Sequence, residues 1–204
     1  NMFNKKFSKV LNEALEVNNI LEANALQQLC ISKINSGVDV VIESPEKTGK
    51  STTLAITTIH KLKYAVEDVP RALIISPTVE SCDALFAQFK LLAAGSDLRI
   101  HVAHEKGKID KQGEEIYFGA DIVIGTPRRI LEIYFHKNLY INKLKLFAID
   151  DIETLVKNQH QGEIHRLSDS LPKCQRLALT DKLTERIETL LDKFMLTPHL
   201  VQCD

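Results

Sequence analysis

A doubly wound α/β fold, built on a mostly parallel sheet with helices on both faces, is what this sequence predicts. Three observations carry that reading. From residue 38 onward, short β-branched runs alternate with longer stretches of helical apolar spacing. Most of the short runs, such as "ALIIS" and "DIVIG", are apolar without interruption, as strands covered on both faces must be. And the loop in "VVIESPEKTGKSTTLAI" follows the first such run and opens a helix, the position at which parallel α/β sheets bind phosphates.

Taken in order, two helices are expected ahead of the sheet, at 5–17 and 23–35, followed by a turn at "INSGVD". Strands are expected at 38–43, 72–76, 99–103, 121–125, 144–149, 175–179 and 199–202. The helices between them are expected at 50–66, 79–94, 127–136, 152–156, 162–170 and 184–195. In the last of these, Leu183, Ile187, Leu190, Leu191 and Phe194 share one face. The stretch "KGKIDKQGEE" reads as a polar loop, and "EIYFG" as a short extra strand beside "DIVIG". No internal repeat, proline-rich linker or low-complexity tract divides the chain, so one domain is the economical reading: a helical extension over 1–36 and an α/β core over 37–204.

Composition narrows the function. Of 204 residues, 44% are hydrophobic and 26% charged, and the formal net charge is −1. Any contact with a polyanion must therefore use a local basic patch rather than a global field. The apolar runs are too short to span a membrane, and no partner membrane is expected. Cys30, Cys82, Cys174 and Cys203 are scattered without metal-ligand spacing, which reads as free thiols in a reducing compartment. A cytoplasmic location is the expectation, with the nucleus left open.

The loop itself departs from the strict phosphate-binding pattern GxxxxGK[ST], because Ser44 stands at the first glycine. Gly49, Lys50 and Ser51 are in place. Lys50 would reach the β- and γ-phosphates of a nucleotide, and Ser51 would help hold Mg²⁺. A three-residue "GKS" is weak evidence alone, since a plain helix start gives the same letters.

Further motifs arrive in a fixed order. Gln27 in "ANALQQLCI" precedes the first strand; "SPTVES" follows the second, "GTPRRI" the fourth, "IDDIE" the fifth and "LTDKL" the sixth. The ordered set resembles the N-terminal RecA-like lobe of DEAD-box RNA helicases, over essentially the whole chain from Phe3 to Asp204. An unrelated P-loop kinase or GTPase would lack Gln27 and "GTPRR".

That resemblance implies ATP and Mg²⁺ as the cofactors, and it implies roles for particular residues. "ANALQ" lies where the family has "PTPIQ", so Gln27 would read adenine through its amide, and Phe3, or less favourably Phe7, would stack near the base. Lys47, Thr48, Gly49, Lys50, Ser51 and Thr52 would line the nucleotide, with Lys47 at a position usually held by glycine. A left-handed backbone there would cost about 1 kcal/mol. "DDIE" stands in place of "DEAD": Asp150 would coordinate Mg²⁺ with Ser51, and Asp151, one methylene short of the family's glutamate, would position the attacking water. Lys50, Asp150 and Asp151 are thus the catalytic expectation. Thr180 keeps one hydroxyl of the "SAT" coupling motif, while Asp181 and Lys182 replace the rest. RNA backbone contacts would come from Pro77 and Thr78 of "SPTVES", in which Glu80 also matches, and from Thr126, Pro127, Arg128 and Arg129 of "GTPRRI". Thr126 would also cap the helix that Pro127 begins.

Two activities fit. One is the ATP- and RNA-binding lobe of an ATP-dependent helicase with divergent motifs and weak turnover. The other is a pseudo-helicase that scaffolds RNA, such as the Tudor-domain Yb-type proteins of the small-RNA (piRNA) pathway, with partners in an RNP granule. On either, the family's second RecA-like lobe is expected to lie outside this chain, so the isolated lobe would be nearly inactive.

Overall fold

The computed structural model describes residues 7–204. Its seven strands are β1 (Val40–Glu43), β2 (Ala72–Ile75), β3 (Ile100–Ala103), β4 (Ile122–Gly125), β5 (Leu146–Ile149), β6 (Gln175–Thr180) and β7 (His199–Gln202). They form a single sheet in the order β3-β4-β2-β5-β6-β1-β7. Every pairing is parallel, with Glu43 opposite Thr180 and Ile75 opposite Ile149.

Burial explains why the strands read as unbroken apolar runs. Successive side chains point to opposite faces, and both faces are covered. Ile42, Ile74, Ile124, Ala148 and Leu179 belong to one core cluster. Val41, Leu73, Val123, Phe147 and Ala178 belong to the other. Helices α1 (Lys9–Val17), α2 (Ala25–Asn35), α3 (Lys50–Leu62) and α4 (Val79–Leu92) contribute to the first cluster. The second is closed by α5 (Ile109–Phe118), α6 (Pro127–Phe135), α7 (Ile152–Lys157), α8 (Gln161–Ser170) and α9 (Glu185–Phe194). Because all strands run the same way, the loops after β1, β2, β4, β5 and β6 emerge along one edge of the sheet. Those loops carry the motifs.

Three sequence expectations are corrected. The segment read as a polar loop and a strand at "EIYFG" is helix α5. Its start has no side-chain cap and it contains Gly113, so nothing local announces it. The helix is fixed by tertiary contacts instead: Gln112 Nε2 donates to the His104 carbonyl at 3.0 Å and its Oε1 accepts from Arg129 at 2.7 Å, while Ile116 is buried. Helix α3 stops about one turn short of its expected end, with Lys63 at φ +67°. Arg71 reaches into that end and donates to the carbonyls of Leu62 and Tyr64, satisfying groups a longer helix would have used. The third is the cap expected at Thr126, whose hydroxyl bonds the Glu105 carboxylate instead of the start of α6.

Candidate nucleotide-binding site

Residues 44–49 form the turn between β1 and α3. Lys47 adopts φ +62° and Gly49 φ +95°, two left-handed residues in the turn that leads into α3. The strain expected at Lys47 is therefore present. Gly49 has a second reason to be glycine: a Cβ there would lie 3.0 Å from Asn24 Nδ2 and 3.0 Å from Gln27 Nε2. The turn is braced internally, Ser44 Oγ donating to Thr48 Oγ1 at 2.8 Å and Thr48 Oγ1 to the Pro45 carbonyl at 2.7 Å. From α2, Asn24 Nδ2 donates to the Thr48 carbonyl at 2.9 Å.

A cleft of about 460 Å³ opens beside this turn, lined by Lys47, Lys50 and Ser51 together with Asp150, Asp151 and Glu153. Lys50 Nζ donates to the carbonyls of Ser44 and Pro45 and, at 2.7 Å, to Asp181 Oδ1. Asp150 follows β5. Burial pushes its carboxyl up to about 6, and repulsion from Asp151 adds to this against the pull of Lys50. Asp151 begins α7 at φ +52°, a left-handed conformation that Asp tolerates better than most residues. Its Oδ1 accepts from Thr154 Oγ1 at 2.9 Å and from the Thr154 N–H at 3.3 Å. Burial also pushes the Glu153 carboxyl upward, with Asp151 adding to the effect. Glu153 accepts from Thr180 Oγ1 at 2.7 Å and from the Asp181 N–H, joining α7 to the end of β6.

A second hollow adjoins the first, sharing Lys47, Gly49 and Thr52 with it and adding Asn24 and Gln27. Gln27 is buried, and its Oε1 accepts from the Asn24 N–H at 3.0 Å in a capping box that starts α2. Of the amide expected to read adenine, the oxygen is thus engaged within α2. Phe3 lies outside the described residues. Phe7 is a core residue whose ring is 4.9 Å from that of His60, and it does not line the hollow. Thr52 accepts from Gln88 Nε2.

The residues expected to meet RNA are arranged unevenly. Thr78 caps α4 in a reciprocal pair with Ser81, and Pro77 is buried. Thr126 makes no cap; its hydroxyl donates to the Glu105 carboxylate, 2.9 Å from either oxygen. Pro127 begins α6 and is buried, while Arg128 is exposed. Arg129, expected at RNA, is engaged within the chain. It is 9% exposed, and its guanidinium holds the His104 and Gly107 carbonyls and Gln112 at 2.7–2.8 Å. Two participants escaped the sequence: Glu105 on Thr126 and Asp181 on Lys50. Neither pairing leaves a local signal.

Fold and site together define a RecA-like lobe, with the turn after β1 and its cleft at the carboxyl edge of an all-parallel sheet. The family model for DEAD/DEAH box helicases matches residues 24–189, and the chain belongs to that family. It is 26% identical over 194 residues to an ATP-dependent RNA helicase eIF4A of Eremothecium gossypii, covering 95% of this chain and 49% of that protein. It is 25% identical over 199 residues to the DEAD-box ATP-dependent RNA helicase CshC of Bacillus cereus, covering 97% and 51%. The crystal structure of a DEAD box protein from Methanococcus jannaschii superposes with a TM-score of 0.93 at 20% identity, covering 99% of this chain and 56% of that one. The chain thus spans about half the length of the curated relatives it matches.

The position of Asp150 has a measurable cost. Its folded pKa is raised, so the folded state holds the proton more tightly, and stability falls as pH rises from about 4 through about 6. In metal-free buffer at pH 7.5, Asp150→Asn is expected to raise the melting temperature by several degrees, on the order of 5 °C. The gain should vanish near pH 4, where the wild-type group is largely neutral in the folded state and no longer costs stability. A shift independent of pH would show that charge is not its source.

Proposed function

We propose that this chain is the N-terminal, nucleotide- and RNA-binding lobe of a DEAD-box-type ATP-dependent RNA helicase with divergent motifs and weak turnover. The observation that carries the reading is the convergence of Lys50, Ser51 and Asp150 on one cleft, with Gln27 flanking the adjoining hollow. The donor set fits Mg²⁺ and a phosphate chain: an ammonium, a hydroxyl, a carboxylate and a turn closed by a left-handed glycine. When bound, Mg²⁺ would neutralise charge developing on the transferred phosphoryl group.

The chain's own residues supply the rest. The amides of 47–51 and Lys50 bind phosphate, Ser51 and Asp150 hold the metal, and the Gln27 nitrogen addresses the base. Asp151 supports weak turnover. Its carboxylate is engaged by Thr154, so it is less available to hold a water than the longer glutamate of the family would be. Titration calorimetry with Mg·ADP tests the site, with saturable heat expected below millimolar nucleotide. Silence up to that concentration would overturn the reading.

A second reading, an RNA-scaffolding pseudo-helicase, is favoured by one specific observation. Carboxylates of the chain itself occupy two groups that should meet phosphate: Asp181 on Lys50 and Glu105 on Thr126. For the RNA face this gives a direct test. Glu105→Gln removes a negative charge from Thr126 and is expected to tighten binding of a single-stranded oligoribonucleotide about fivefold at low salt. Fluorescence anisotropy would measure it; unchanged affinity would mean that no RNA phosphate approaches Thr126.

A further inference from the structure

Asp181 stands where the family's "SAT" motif has a small neutral residue, and it is the one carboxylate of the cleft bonded to Lys50 among the described residues. The pair comes from distant parts of the chain, the start of α3 and the end of β6, which the sheet places beside β1. It is also sheltered: the Lys50 side chain is 11% exposed and that of Asp181 34%. On both sides the pair is held in place. The Lys50 ammonium is fixed by the Ser44 and Pro45 carbonyls. The backbone of Asp181 is fixed by Glu153, which also holds Thr180. A pair so anchored loses little further entropy in staying formed.

The cleft is polar along its length. Its lining brings Lys47, Lys50 and Ser51 together with Asp150, Asp151, Glu153 and Asp181. A diphosphate would reach Lys50 through its β-phosphate while Asp181 keeps its place on the ammonium. A third phosphate extends toward the carboxylates, where Lys50 is the cation placed to receive it. Mg²⁺ can offset Asp150. It does nothing for Asp181, which already holds the ammonium that the third phosphate needs.

We infer that Asp181 is a specificity-determining residue that biases this site toward nucleoside diphosphates, because its carboxylate occupies on Lys50 the place that a γ-phosphate must take. The inference rests on the nucleotide-site reading under Proposed function. In a site with a neutral residue at this position, diphosphate and triphosphate meet the same free ammonium. Here a γ-phosphate must displace a carboxylate from it, which a β-phosphate sharing the ammonium with Asp181 need not do.

The test is titration calorimetry of this chain with Mg·ADP and with a Mg-bound non-hydrolysable ATP analogue, on the wild type, Asp181→Ala and Asp181→Asn. Both variants are expected to bind the triphosphate about tenfold more tightly than the wild type, with ADP affinity changed less than about threefold. Melting curves establish that each variant is folded; the ratio of the two affinities is a quantity that a merely structural role would not move. Equal shifts for both nucleotides, or no shift in either, would overturn the inference while leaving the nucleotide site standing. So would tightening in the alanine variant alone, which would mark bulk rather than charge as the obstacle. Binding of neither nucleotide to any variant would overturn the site itself, and the inference with it.

Discussion

Asp121→Ala is expected to destabilise the fold by about 3–5 kcal/mol, the range for removing one partner from a buried charge cluster. Asp121 precedes β4 and its side chain is fully buried. Its Oδ1 accepts from Arg71 at 2.9 Å and its Oδ2 from Arg99 Nε at 3.0 Å and from the Arg99 N–H at 2.9 Å. Burial pushes this carboxyl up, but the bonds from Arg99 and Arg71 prevail and hold it below the usual carboxylate range. Its contribution is therefore present above about pH 4 and lost as pH falls through the lower folded value. Removing it leaves Arg71, itself 6% exposed, without its counter-charge and loosens the end of α3 that Arg71 caps. Urea unfolding at neutral pH would measure the loss as a lower midpoint at unchanged slope. A change below about 1 kcal/mol would mean that water replaces the carboxylate and the cluster is not closed.

Lys50→Ala is expected to weaken Mg·ADP binding on the order of 100-fold, the loss for charge-assisted bonds in a sheltered site. Its stability effect should be small by comparison, since Lys50 holds the exposed Pro45 carbonyl, the neighbouring Ser44 carbonyl and a partly exposed Asp181. That contrast separates the two variants. Asp121 lies at the opposite edge of the sheet and should change stability without changing affinity per folded molecule; Lys50 should do the reverse. Equal nucleotide binding by Lys50→Ala and the wild type would remove Lys50 from the site.

Much of this was legible in the sequence, for reasons that can be named. The strands declared themselves because both faces of the sheet are covered, leaving runs such as Ala72–Ile75 with no polar side. The candidate site residues follow from position: Lys50 follows β1, Asp150 follows β5 and Thr180 ends β6, and parallel strands deliver all three to one edge. What stayed hidden depends on partners far along the chain. Lys50 and Asp181 are 131 positions apart, and nothing near either predicts the pair. Helix α5 has a weak start and takes its order from Arg129 and His104, so the segment read as a loop. Arg129 looked like a surface cation because its neighbour Arg128 is one. The capping box that engages Gln27 does have a local signal in Asn24, three positions earlier.

The most direct test of the central claim, that this altered loop still holds a Mg·nucleotide, is an amide correlation spectrum of the chain titrated with Mg·ADP. Saturable shifts are expected at 47–52, at Gln27 and at Asp150 and Asp151, with the amides around Asp121 unmoved. Shifts confined to other surfaces, or a spectrum unchanged up to millimolar Mg·ADP, would contradict it.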